Sequence, residues 1–68
     1  MTDHVPAEEA RWLIERLILE YGNKRRAAIA FTDRHGGKLT SAERRFHRVQ
    51  GGQARVTSQF IDELEVML

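Results

Sequence analysis

The stretch LTSAERRFHRVQGG, residues 39–52, decides how this chain folds. At a helical repeat of about 100° per residue, four apolar side chains share one narrow stripe. They are Leu39, Ala42, Phe46 and Val49. Ser41, Arg44 and Arg48 fall on the opposite side, with Arg45 and His47 on its flanks. The stretch therefore predicts a short helix that packs through its apolar stripe, keeps a basic face outside and stops at the double glycine.

Apolar spacing predicts two further helices before this stretch. The first covers residues 6–21, with a proline in its first turn, two glutamates near the positive end of its dipole and Gly22 as its stop. The second covers residues 24–34, with Asn23 as its N-cap. Its inner face consists of Ala27, Ala28 and Phe31. Such small residues let neighbouring helices approach closely.

The quoted stretch is the third helix of the chain, and the residues after it predict a fourth. Thr40 and Glu43 fit a capping box at the start of a helix over residues 40–50. Thr57 or Ser58 can cap the last helix. The apolar side of that helix consists of Phe60, Ile61, Leu64, Met67 and Leu68. No strand, repeat or linker is predicted, so we expect the chain to form a single all-α domain, a compact bundle of four short helices.

The residue types limit the chemistry that this chain can carry. Cysteine is absent from the 68 residues, which excludes a disulfide, thiol chemistry and cysteine-ligated zinc. His4, His35 and His47 lack the spacing of metal ligands, so we expect no metal and no cofactor. No catalytic set is recognisable and the chain leaves no room for a substrate cleft, so we do not expect an enzyme. Since small cores are marginally stable, oligomerisation is the reinforcement that remains.

The distribution of apolar residues predicts the cellular location of the protein. Apolar and charged residues make up 41% and 31% of the chain, as in folded rather than disordered proteins. No long uncharged apolar run is present, and the first ten residues lack the basic start and apolar stretch of a signal peptide. We therefore expect no membrane contact and a cytoplasmic location.

The net charge of +1 conceals a strong division along the chain. Residues 24–55 contain nine lysines and arginines against two acidic residues, a balance of +7. The other residues contain two arginines against eight acidic residues, a balance of −6. A concentrated basic block is the electrostatic footprint expected for a polyanion partner. The alternative is a charged surface that meets only solvent.

The order of these elements resembles the helix-turn-helix regulators of the phage repressor and Cro type. The resemblance covers about residues 20–68 and is carried by YGNKRRAAIAF…GGKLTSAERRFHRVQGG…VTSQFIDELEVML. It implies that residues 40–50 form a recognition helix in the DNA major groove and that residues 24–34 form the bracing helix. The spacing departs from that family by about four residues, with two glycines where the tight turn usually has one. Either the bracing helix is extended or the turn is a loop.

The resemblance also implies which residues contact double-stranded DNA. Arg44, Arg45 and Arg48 would face the groove, Ser41 would lie near a phosphate at the helix N-terminus, and Lys24, Arg25, Arg26 and Lys38 would face the backbone. Two alternatives stay open, a solvated arginine face and salt bridges from residues 24–26 to the acidic first helix. Gln50, Gln53 and Arg55 either reach a flanking phosphate or belong to a plain loop.

Trp12 and Leu19 project away from the apolar stripe of the first helix and form a second apolar patch. This patch predicts a partner surface, most simply that of a homodimer, unless the last helix or the N-terminal segment covers it. The first hypothesis for the function is a dimeric DNA-binding transcriptional regulator, a repressor of bacterial or phage origin. The alternative is a small phage-encoded inhibitor that binds and blocks a host protein. An RNA-binding role is weakened because the basic face carries no aromatic residue for stacking.

Overall fold

Four helices and one short strand pair form within residues 4–52 and 55–68, the part of the chain that this computed structural model describes. The elements, in chain order, are β1 (His4–Val5), α1 (Ala7–Tyr21), α2 (Lys24–His35), α3 (Leu39–Gln50), β2 (Val56–Thr57) and α4 (Ser58–Glu65). The predicted all-α bundle of four short helices is confirmed. Among the described residues, no helix combines the length and the apolar character needed to cross a membrane.

The core lies where α1 packs against α2, α3 and α4. Its largest fully buried side chains are Phe46, Ile14, Leu17, Leu64 and Val49. Three phenylalanine rings join the other helices: the Phe31 centroid lies 5.5 Å from that of Phe46 and 5.7 Å from that of Phe60. Both pairs are edge-to-face, a geometry that aromatic rings prefer. The predicted apolar stripe of α3 is therefore the part of that helix that holds it to the bundle.

Side chains and one glycine define the helix ends. Oδ1 of Asn23 accepts a hydrogen bond from the backbone N–H of Arg26 at 2.8 Å, which confirms Asn23 as the N-cap of α2. Oγ1 of Thr57 accepts one from the N–H of Phe60 at 3.2 Å, so Thr57 rather than Ser58 caps α4. Gly22 ends α1 with φ at +108°, a conformation that favours glycine.

The capping box predicted for α3 was wrong. The helix begins at Leu39, with Lys38 as its N-cap residue, and no side chain caps its first turn. Leu39 is half-buried and packs against the core, so the helix starts one residue earlier than Thr40. Thr40 therefore lies inside the first turn, where its hydroxyl is too far along the helix to serve as the cap.

Two further expectations were also wrong. The prediction of no strand fails because β1 and β2 pair antiparallel, with His4 opposite Thr57 and Val5 opposite Val56. A two-residue strand is too short to show the alternation that identifies strands in a sequence. Leu68 is 52% exposed, whereas Met67 is buried. Since α4 ends at Glu65, residue 68 no longer follows the helical repeat that placed it on the apolar side.

The connection between α2 and α3 is a tight turn. It consists only of Gly36, Gly37 and Lys38, because α2 continues to His35 and α3 begins at Leu39. Both glycines have positive φ, +85° and +96°, which other residues rarely adopt. The connection is thus a short turn rather than a long loop, and α2 is one residue longer than predicted. A three-residue turn between two packed helices is typical of the helix-turn-helix motif.

Candidate nucleic-acid interface

The outer face of α3 is basic and open to solvent. Arg44, Arg45 and Arg48 are exposed, and so is Ser41 in the first turn of the helix. Their positions follow from the buried stripe, because fixing Phe46 and Val49 in the core turns the opposite side of the helix outward. Arg44 and Arg48 lie one turn apart, and neither pairs with a carboxylate within residues 4–52 and 55–68. We call these two side chains the arginine ridge.

A groove of about 720 Å³ follows one side of the arginine ridge, between α3 and the segment that leads into α4. Its polar walls come from Ser41, Arg44, Arg45, Arg48, Arg55, Thr57, Gln59 and Glu63. Four guanidinium groups thus share the groove with a single carboxylate, so its potential is positive. The groove also receives the N-terminal end of α4, where the helix dipole adds to the attraction of an anion.

Arg45 is held differently from the arginine ridge. Its Cζ lies 5.0 Å from the centroid of the Phe60 ring, within cation–π distance. The Phe60 ring belongs to the core and is only 3% exposed. Arg45 therefore lies along the α4 wall of the groove and links α3 to α4, whereas Arg44 and Arg48 carry no such contact among the described residues.

A second, smaller cavity of about 380 Å³ lies on the other side of the arginine ridge, between α2 and α3. Lys24, Glu43 and His47 line it together with Arg44 and Arg48. Nζ of Lys24 lies 3.5 Å from Nδ1 of His47 and can donate a hydrogen bond to it. The arginine ridge thus lies between two concave surfaces, and Lys24 is the α2 residue that lines the smaller one.

The other basic residues predicted to contact DNA do not line either cavity. Nη1 of Arg25 lies 3.7 Å from Oε1 of Glu43, an exposed ion pair that joins α2 to α3. The side chain of Arg26 lies beside Gly22, and Lys38 is exposed in the turn before α3. The Arg25–Glu43 pair is the single ion pair among the described residues, so the alternative in which residues 24–26 bridge to α1 is not what the structure shows there.

Three residues that line the larger groove were not assigned to the site from the sequence. Arg55 had two open interpretations, and the structure places it in the wall of the larger groove. Gln59 and Glu63 were not predicted at all. Their i, i+4 spacing was the available signal, since it puts both on one side of α4 beside Phe60. Gln53 lies outside the described residues.

The apolar patch on α1 is exposed. Trp12 is 56% exposed and Leu19 is 82% exposed, and neither α4 nor the described part of the N-terminal segment covers them. The alternative that these elements bury the patch is therefore wrong for residues 4–52 and 55–68. Cζ of Arg16 lies 5.5 Å from the centroid of the Trp12 ring. Arg16 and the patch thus occupy the same outer face of α1.

No protein-family model, curated protein or solved structure matches this chain. The helix-turn-helix resemblance therefore stays a prediction. Its clearest structural counterpart is the three-residue connection between α2 and α3. The features of the molecule that bear on its function are the geometry and charge of the arginine ridge and of its two neighbouring cavities.

Proposed function

We propose that this protein is a sequence-specific DNA-binding transcriptional regulator, a repressor of bacterial or phage origin, and that α3 enters the major groove. The observation that carries the proposal is the arginine ridge. Arg44 and Arg48 are exposed one turn apart on a helix whose opposite face is buried, and no carboxylate of the described chain engages them. Guanidinium groups presented in this way suit the O6 and N7 acceptors of guanine as well as phosphate oxygens.

The surroundings of the ridge support separate roles for its neighbours. Arg44 and Arg48 would read base edges, because they project from the middle of the outer face. Lys24 and Arg55, in the two cavities beside them, would contact phosphates on either side. Ser41 would meet a phosphate at the N-terminus of α3. Arg25, Arg26 and Lys38 would add charge along the backbone without lining either cavity.

A homodimer is part of this proposal. Regulators with a helix-turn-helix read palindromic sites, because a two-fold protein places two recognition helices one DNA turn apart. The exposed patch of Trp12 and Leu19 lies on α1, outside the arginine ridge, and can form a contact between copies while α3 contacts DNA.

The proposal is tested by selecting bound sequences from random duplex DNA. We expect a recurring site with two related halves, and binding of that site is then measured by fluorescence anisotropy. Arg44→Ala and Arg48→Ala should each weaken binding by about 1–3 kcal/mol and relax preference at one base position.

A matched control is Arg11→Ala, which removes another exposed arginine, from α1. It should change affinity little, because α1 lies outside the basic face. Unchanged affinity of the Arg44→Ala/Arg48→Ala double variant for the selected site would remove α3 from recognition.

A second candidate function is a small phage-encoded inhibitor that binds a host protein. The exposed Trp12 and Leu19 favour it, since aromatic and aliphatic anchors dominate protein interfaces. The two functions differ in a paired experiment, a gel shift with duplex DNA beside a pull-down from host lysate. Loss of a captured protein in Trp12→Ala, together with no gel shift at low salt, would favour the inhibitor.

A further inference from the structure

The outer face of α1 has the composition of a helix–helix seam. Trp12 and Leu19 are one heptad apart, so they lie above one another on the side opposite the buried stripe of the helix. Glu15 and Arg16 lie between them along the chain and flank the line that joins them, one on each side. Arg16 reaches back over the Trp12 ring, which places its guanidinium at the edge of this line. We call the four residues the α1 seam.

We propose that the α1 seam binds the α1 seam of a second copy, with the two helices parallel and related by a two-fold axis along them. Trp12 then packs against the second copy's Trp12, and Leu19 against the second copy's Leu19. This gives a surface and a geometry to the dimer in the proposed function, but it is argued from α1 alone and concerns the protein without DNA.

Charge complementarity selects this arrangement. A two-fold axis parallel to the helices brings the left flank of one seam opposite the right flank of the other. Arg16 of each copy therefore lies beside Glu15 of the other, at nearly the same height, and the pairing occurs twice. Opposite charges at the flanks of an apolar seam are the feature that sets partner and orientation in paired helices.

The antiparallel alternatives fit less well. Pairing Trp12 with Leu19 of an antiparallel copy places equal flanks side by side, so Glu15 faces Glu15 and Arg16 faces Arg16. An antiparallel pair centred on Trp12 separates these groups but sets Glu15 of each copy beside Glu8 of the other, since both lie on the same flank of α1. It also leaves Leu19 beyond the start of the partner helix, because α1 begins at Ala7. The parallel arrangement brings the exposed Glu8 of the two copies near each other at the start of the seam. It is nevertheless the one of these three that covers both apolar side chains and joins Glu15 to Arg16 twice.

The seam is short, so the dimer should be reversible. Stable interfaces bury about 1,600 Å² in total, and two apolar side chains per copy supply less than that. We therefore expect a monomer–dimer equilibrium that is visible by sedimentation equilibrium at protein concentrations up to about 1 mM, the weak end of specific association. No DNA is added, so the result does not depend on whether the protein binds DNA.

Disulfide trapping tests the register directly, because the natural chain contains no cysteine. A disulfide needs Cα atoms within about 7 Å, so in a parallel seam each position couples to itself. Trp12→Cys and Leu19→Cys should each form dimers at least about tenfold faster than Leu68→Cys, a control at a leucine that is 52% exposed outside α1.

The other registers give different products. Coupling only in a mixture of Trp12→Cys and Leu19→Cys would indicate the antiparallel pair. Coupling of Trp12→Cys alone would indicate the pair centred on Trp12. Either result, or a Leu19→Cys rate equal to that of Leu68→Cys, would overturn the parallel seam.

Charge exchange tests the flanks without changing the apolar residues. In the parallel seam, Glu15→Arg puts an arginine beside the second copy's Arg16 and should raise the dissociation constant several-fold at low salt. The Glu15→Arg/Arg16→Glu double variant restores unlike charges and should return to within about twofold of the natural chain.

Leu19→Glu should raise the dissociation constant at least about tenfold, and Leu68→Glu should leave it unchanged. Both positions are exposed, so neither variant threatens the fold. A natural chain that stays monomeric through the whole concentration range would overturn the proposal. So would equal dissociation constants for Leu19→Glu and Leu68→Glu, or a charge-exchanged double variant that dimerises no better than its single parents.

Discussion

The outer faces of α1 and α3 have the same origin and opposite character. Each is the side of a helix left outside when the other side packs into one shared core. The α3 face carries exposed arginines, while the α1 face carries an exposed tryptophan and leucine with charges of both signs around them. The same local rule, a buried stripe that orients the helix, therefore produces two surfaces suited to different partners.

This difference in character determines how binding at each surface should respond to salt. A cationic face acts through charge, which salt screens over about 10 Å at moderate ionic strength. An apolar seam acts through removal of surface from water, which salt changes little. Each surface can therefore be disturbed while the other serves as its control.

Phe46→Ala should have the largest effect, a loss of stability, because it removes a side chain from the core against which both helices pack. Phe46 is fully buried, and replacing a buried phenylalanine by alanine destabilises by about 3–5 kcal/mol. The total stability of so small a domain is about 3–10 kcal/mol. Urea unfolding followed by circular dichroism should therefore show most of the stability lost.

The control for Phe46→Ala is Leu19→Ala on the α1 face. Leu19 is 82% exposed, so its truncation should change the free energy of unfolding by less than about 0.5 kcal/mol. Equal losses of unfolding free energy in the two variants would contradict the structure. They would mean that the buried side of α3 contributes no more to stability than the exposed side of α1.

A change of salt concentration should have the next largest effect, because it should weaken DNA binding by α3 much more than dimerisation through α1. With about four phosphate contacts, DNA affinity should fall roughly a hundredfold between about 50 and 200 mM salt. The dimer dissociation constant should change by only a few-fold over the same range, because salt screens the two Glu15–Arg16 pairs but not the apolar contact; it is measured by sedimentation equilibrium beside fluorescence anisotropy. A DNA affinity as insensitive to salt as the dimer would contradict a phosphate-dominated role for the basic face.

Both faces could be predicted from the sequence because helical periodicity is local. The spacing of Phe46 and Val49 sets the buried side of α3, and the position of the arginines follows without knowledge of the other helices. The same argument predicted the exposed patch on α1. Asn23 was also predictable as a cap, since it needs only the first turn of its own helix.

The features that the sequence did not predict depend on tertiary structure. Gln59 and Glu63 line the groove only because α4 packs with that side toward α3. The start of α3 moved to Leu39 because this residue reaches the core, a preference that outweighs the cap signal of Thr40. The β1–β2 pair joins the segment before α1 to the segment before α4, and neither two-residue strand shows a pattern by itself.

Arg45→Ala should distinguish Arg45 from the arginine ridge by a smaller effect. Loss of the cation–π contact with Phe60 should lower the free energy of unfolding by about 0.5–1 kcal/mol. Its effect on DNA binding should be similar for all sequences, because the side chain lies along the groove wall. Arg44→Ala should show the reverse, with stability unchanged in urea unfolding and sequence preference reduced in anisotropy. A change of base preference in Arg45→Ala would place Arg45 with the ridge.

Glu43→Gln should have the smallest effect, and it tests whether the ridge works by charge. The Glu43 carboxylate lies beside the ridge in the smaller cavity and pairs with Arg25. That exposed pair contributes little, so the free energy of unfolding should change by less than about 0.5 kcal/mol. Removing a negative charge beside the ridge and freeing Arg25 should raise DNA affinity a few-fold at low salt, and the gain should disappear at high salt. The control is Glu8→Gln, the same exchange at an exposed position of α1, and it should leave DNA affinity unchanged. If both variants raised DNA affinity equally, the overall charge of the protein rather than the position of the ridge would govern binding.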